Sequence, residues 1–246
     1  MALPEKQLPI SGELFEIEGC PAFLIRATAK PGVRNPWVWY APTLPPYPGQ
    51  SEKWMFDRFL EAGISIAGID VGESYGSPDG RSHYSALYAH LTNQLGMDRR
   101  AALLARSRGG LMLYNWAVEN ADKVARVAGI YPVCSLKSYP GIEKASGAYG
   151  VAARELANQL SLHNPIDRLR ALVKARVPIY HIHGDSDEVV PLNVNSGELA
   201  DRYRALDGEV VLDVAKGHGH SSWSGFFECQ PLVDFVIERC SPSTRG

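Results

Sequence analysis

The sequence predicts an α/β layer fold with a mostly parallel central sheet and an antiparallel hairpin at its N-terminus. Three observations carry that class. After the hairpin, strand-like and helix-like segments alternate, the pattern of parallel strands joined by crossover helices. Strands such as "ISIAGIDVG" are unbroken apolar runs, as expected where helices cover both faces of a sheet. Clusters rich in Ser, Asp and His fall at the carboxyl ends of three of these strands, where α/β sheets bind ligands.

The elements follow in order. "ELFEIEG" and "CPAFLIRAT" alternate like two strands joined by a Gly-containing turn. "WVWYA" is a short apolar strand, and "SEKWMFDRFLEAG" is a helix that starts at a Ser cap and stops at Gly63. Between them, Ala41 to Gln50 is rich in Pro and reads as a functional loop rather than a linker. "ISIAGIDVG" is strand, "HYSALYAHLTNQLG" helix, "AALLARS" strand, "GGLMLYNWAVENA" helix and "VARVAGIYPV" strand. "VPIYHIHG" is strand, "PLNVNSGELADRYRALDG" helix, "EVVLDVAKG" strand, and "FFECQPLVDFVIERC" a last amphipathic helix. Residues 136–176 are partly helical and form either a small cap or a long crossover within one domain that spans residues 1–246.

A chain of 246 residues, 45% hydrophobic, is long enough for one domain with a full core. The net charge of −2 includes no basic stripe, so no nucleic-acid partner is expected. No apolar run is long enough to span a bilayer, and no basic amphipathic face suggests a membrane surface. The N-terminal segment lacks the basic start and long apolar stretch of a signal peptide. Cys20, Cys134, Cys229 and Cys240 are scattered without a C-x-x-C pair, and Cys229 and Cys240 are too far apart along one expected helix to bridge. A reducing, cytoplasmic location is the expectation.

Three polar clusters carry the chemistry. Arg106-Ser107-Arg108-Gly109-Gly110 sits between a strand and a helix, which puts Ser107 on a sharp turn at a helix N-terminus. A serine hydroxyl needs a base to take its proton, and an elbow exposes it above the sheet. Small residues two before and two after, Ala105 and Gly109, let the turn close. The second cluster, "HIHGDSDEVVP", holds Asp185 and Asp187. Either carboxylate can orient a base, and Asp187, further into the loop, is better placed to reach a neighbouring strand end, while Asp185 suits a turn cap. The third, "KGHGHSSW", offers His218 and His220 as the base.

In the order Ser, Asp, His, these motifs resemble the α/β-hydrolase superfamily, over nearly the whole chain from "WVWYAP" to the last helix. "ARSRGG" resembles the nucleophile elbow, usually G-x-S-x-G, with Ala105 the departure, and implies Ser107 as nucleophile. "HGDSDEVVP" is similar to H-G-x-x-D-x-x-V-P and implies Asp187 as the acid. "KGHGH" resembles the G-H-G loop of dienelactone-hydrolase-like and prolyl-peptidase-like members, which implies His218 rather than His220 as the base. The resemblance implies a three-layer fold and a serine hydrolase without a cofactor, acting on a small-molecule carboxylic ester through an acyl-enzyme. A peptidase or thioesterase with the same triad, or a non-catalytic binding protein of this fold, are the alternatives.

An acyl-transfer mechanism also needs oxyanion donors. One is the backbone N–H of Arg108, the residue after the nucleophile. The other comes from the loop after "WVWY", where Pro42 has no N–H, leaving Ala41 ahead of Thr43. The Arg108 side chain either meets a substrate carboxylate or pairs with an acid such as Glu73. Tyr75, Tyr131, Trp223 and Phe226 are candidate pocket-lining residues. The alternation of His181 with His183 and of His218 with His220 lacks H-x-x-x-H spacing, so no metal is expected, and no glycine-rich phosphate loop points to a nucleotide.

Overall fold

The computed structural model describes residues 6–28 and 35–238. Their strands are β1 (Glu13–Ile17), β2 (Cys20–Ile25), β3 (Trp37–Ala41), β4 (Ser65–Ile69), β5 (Ala101–Arg106), β6 (Val124–Ile130), β7 (Ile179–Gly184) and β8 (Val210–Ala215), joined in one sheet. The spatial order is β1-β2-β4-β3-β5-β6-β7-β8. The β1–β2 and β2–β4 pairs are antiparallel, and β4, β3, β5, β6, β7 and β8 run parallel. The opening hairpin and the mostly parallel α/β sheet are as the sequence predicts.

Helices α1 (Lys53–Glu61), α2 (Pro78–Ala89), α3 (Gly109–Glu119), α4 (Ile142–Tyr149), α5 (Ala153–Asn158), α6 (Leu160–His163), α7 (Arg170–Lys174), α8 (Ser196–Arg204), α9 (Ser224–Phe227) and α10 (Gln230–Glu238) cover the sheet. Because side chains alternate across a strand, the inner strands feed two cores. Trp37, Trp39, Leu103 and Ala105 face a core completed by Tyr84 of α2, Trp116 of α3, Leu172 of α7 and Leu199 of α8. Val38, Tyr40, Leu104 and Ile130 face the other, completed by Phe56 and Phe59 of α1 and by Phe227, Leu232 and Val236 of α9 and α10. Helix, sheet and helix make three layers. A third cluster, with Leu136, Ala145 and Leu156, packs residues of the 136–176 stretch onto Tyr75, Leu111, Val133 and Val190.

Boundaries differ from expectation where a cap or a buried polar side chain intervenes. Helix α2 begins at Pro78, ahead of the expected His83: the Ser77 Oγ accepts from the Gly80 N–H, and Pro at the first position needs no acceptor. The helix expected over residues 191–208 is broken at Asn195, whose side-chain oxygen takes the N–H groups of Cys134 and Ser135. The last helix is two helices, α9 and α10, and Cys240 lies outside the described residues.

Candidate active site

Ser107 leaves β5 with φ of +49°, a left-handed conformation that costs an L-residue about 1–3 kcal/mol. Three backbone hydrogen bonds hold it there. Its N–H donates to Ile130 at 3.0 Å, and its carbonyl accepts from Gly110 at 2.9 Å and Val133 at 2.8 Å. The two glycines that follow are required by close backbone approach. A Cβ on Gly109 would lie 2.1 Å from the Ala41 carbonyl oxygen, and one on Gly110 would lie 2.3 Å from that of Val133. The chain turns into α3 with the end of β3 and the segment after β6 pressed against the bend. No acceptor among the described residues takes the Arg108 N–H at the start of α3.

The loop after β7 carries Asp187, which is buried. Its Oδ1 accepts the N–H groups of Val189 at 3.0 Å and Val190 at 2.8 Å, and its Oδ2 faces His220 Nδ1 at 2.8 Å. Burial pushes this carboxyl up, but donors from His183, His220 and Val190 together outweigh it and hold it below the usual carboxylate range. The loop after β8 brings His220 Nε2 to 3.0 Å from Ser107 Oγ. A carboxylate only accepts, so His220 carries its proton on Nδ1 and offers the Nε2 lone pair to the serine hydroxyl.

His218 does not reach Ser107 or Asp187 and His220 does, which corrects the expectation from the G-H-G resemblance. Its ring lies flat on Trp223, centroids 3.5 Å apart, and its carbonyl accepts from the Ser186 N–H at 3.1 Å. That carbonyl crosses directly over Gly184, where a Cβ would sit 2.0 Å from it. The crossing spends His218 on anchoring the loop, and the turn delivers the residue two further on. Asp185 serves the same loop as a cap, its Oδ1 accepting the Gly217 N–H at 2.7 Å.

A cavity of about 210 Å³ opens beside Ser107, lined by Pro42, Tyr47, Arg106, Arg108, Tyr131 and the His220–Ser222 stretch. Tyr131 packs on the His220 ring at 4.4 Å and meets Phe226 edge-on. Trp223 and Tyr75 are not among the lining residues. Trp223 is 40% exposed, and Tyr75 is buried, with its carbonyl bonded to the Tyr149 hydroxyl. The Arg108 guanidinium pairs with Glu73 and lies over Tyr139. Ala41 ends β3 against the elbow.

The sequence gives Arg106 no evident role, though a charge ending an apolar strand is a signal. Its guanidinium is nearly buried, sandwiched by the Tyr47 and Phe227 rings at 4.4 and 4.8 Å, and donates to the fully buried Glu52 at 2.6 Å. Burial alone would lower it; Tyr40 and Glu52 beside it raise it above its ordinary value. The Glu52 carboxylate also accepts from the Tyr40 hydroxyl and the Gly49 N–H, so both of its oxygens have partners. No local pattern marks Glu52, which follows the expected Ser cap of the helix. Among the described residues no cluster of His, Cys, Asp and Glu is placed to hold a metal ion, and no helix is long and apolar enough to cross a membrane.

No protein-family profile matches the chain, and no curated protein matches it in sequence. Solved structures do match its fold. The acylaminoacyl peptidase of Pyrococcus horikoshii superposes with a TM-score of 0.74 at 17% identity, over 96% of this chain and 42% of that one. A puromycin-hydrolyzing peptidase of Mycobacterium tuberculosis gives 0.73 at 16% identity, over 96% and 41%. The carboxylesterase Cest-2923 of Lactobacillus plantarum gives 0.65 at 17% identity, over 86% and 85%. The chain thus spans about two fifths of the length of the peptidases and most of the length of the esterase. The fold is the α/β-hydrolase fold.

Proposed function

We propose that this chain of α/β-hydrolase fold is a serine hydrolase that cleaves small carboxylic esters. The observation that carries the reading is the continuous line of hydrogen bonds from Ser107 through His220 to Asp187, at 3.0 and 2.8 Å. Ser107 Oγ attacks the ester carbonyl as His220 Nε2 takes its proton. The imidazolium that forms is stabilised by Asp187, and it returns the proton to the departing alcohol. Water then enters with His220 again as base and releases the acid. The Arg108 N–H, with Ala41 at the end of β3, receives the charge on the carbonyl oxygen.

A cavity of about 210 Å³ suits a compact ester better than an extended peptide. The fold likeness to peptidases supports amide cleavage as the second reading. Fluorophosphonate labelling separates an enzyme from a binding protein: modification of Ser107 at neutral pH is expected, and an unlabelled, folded chain would overturn the assignment. Turnover of p-nitrophenyl acetate against an acyl-peptide anilide then separates the two enzyme readings, with the ester expected to be the better substrate.

A further inference from the structure

Beside Asp187, a row of buried polar groups takes no direct part in acyl transfer. The Tyr114 hydroxyl lies 2.7 Å from His181 Nε2, and His181 Nδ1 lies 3.0 Å from Ser196 Oγ. Ser196 Oγ lies 2.8 Å from His183 Nδ1. His183 Nε2 lies 2.8 Å from the Val190 carbonyl oxygen and 3.5 Å from Asp187 Oδ2. All four side chains are buried.

The direction of the row follows from its end. A carbonyl and a carboxylate only accept, so His183 carries a proton on Nε2. In the neutral ring its Nδ1 then accepts, and Ser196 donates to it. The Ser196 oxygen accepts in turn from His181 Nδ1–H, which leaves His181 Nε2 to accept from the Tyr114 hydroxyl. Each polar hydrogen is used once and no donor is left over. Burial, with His183 alongside, holds the His181 imidazole down to about 3, consistent with its neutral place in the row.

We propose that His183 is a positioning residue for Asp187, fixed by the one-way row Tyr114–His181–Ser196–His183 in the tautomer whose Nε2–H points at the Asp187 loop. That N–H ties the Val190 carbonyl and the Oδ2 edge of the carboxylate together, so the oxygen that orients His220 keeps its direction while the imidazole gains and loses a proton. The inference rests on Asp187 being the triad acid. Reversing the His183 tautomer sets an imidazole lone pair against two acceptors and frees the loop to turn.

The test compares His183→Leu, His183→Gln and Ser196→Ala on the full chain. The readouts are kcat and KM for p-nitrophenyl acetate, thermal melting, and the far-downfield proton resonance of the His220 Nδ1–H facing Asp187. A glutamine amide restores an N–H near the Nε2 position and a leucine does not. In His183→Leu, kcat is expected to fall about ten-fold or more with KM unchanged, as for lost outer partners of a functional side chain. The resonance is expected to be lost, and His183→Gln to recover both. Ser196→Ala, which touches no triad residue, should lower kcat in the same way by freeing the tautomer. A folded His183→Leu variant with wild-type kcat and resonance overturns the proposal, as does His183→Gln failing as fully as His183→Leu. If His183→Leu does not fold, Ser196→Ala decides: unchanged kcat and resonance there overturn it. If the wild-type chain hydrolyses nothing, the hydrolase reading fails, and the resonance still reports whether His183 holds Asp187.

Discussion

Ser107 and His220 touch across 113 positions of sequence, and the proposed chemistry depends on that one contact. Replacing the proposed nucleophile, Ser107→Ala, should leave melting near that of the wild type and reduce ester turnover about a thousand-fold or more. The two histidines of the β8 loop should separate cleanly. His220→Ala is expected to be as inactive as Ser107→Ala. His218→Ala removes a ring stacked on Trp223 and should retain activity within about ten-fold, the loss coming through loop order. A variant pair with the opposite ranking in kcat would sink the assignment of the base. At Glu52 the effect belongs to stability. Glu52→Gln leaves Arg106 buried without its counter-charge, which should cost about 3 kcal/mol and lower Tm on the order of 10 °C. A Tm unchanged by that variant would mean that water reaches the guanidinium.

The strand–elbow–helix unit is where backbone geometry dominates. Gly109→Ala should destabilise the chain by about 2–3 kcal/mol in urea unfolding, because the new methyl meets the Ala41 carbonyl of β3, which belongs to the sheet and has little room to yield. The same shift moves Ser107 off His220, so activity should fall before stability does. Much of this unit was legible in the sequence. The apolar run, the lone Ser and the paired Gly specify a buried strand, a sharp turn and a close-packed helix start, and each rule is local. His218 was expected for the opposite reason: which of two histidines reaches Ser107 is set by the crossing of residue 218, in the loop after β8, over Gly184 of β7, a contact that no local pattern encodes. Arg106 was visible as a misplaced charge, but its partner Glu52 was not, since the pair forms across 54 positions.

At the scale of the molecule, the sheet core holds a neutral imidazole. His181 is fully buried on β7, and its folded-state pKa of about 3 is below the ordinary histidine value of about 6.5. Between those values the unfolded chain takes up a proton that the folded chain refuses. Stability should therefore be greatest above about pH 6.5 and decline as the pH falls toward 3. Urea midpoints measured from about pH 7 to pH 5 should fall in the wild type and fall less steeply in His181→Gln. Equal slopes would assign acid lability to other groups.

The three residues of the line Ser107–His220–Asp187 come from the ends of β5, β8 and β7, so the line exists only while four neighbouring strands, β5 to β8, are all in register. A covalent serine probe then reports more than chemistry. In a denaturant series its labelling should vanish at the concentration that first frees the β8 edge, ahead of the loss of helix signal if that edge frays alone. Ser107 thereby becomes a built-in gauge of cooperativity in the C-terminal half of the sheet.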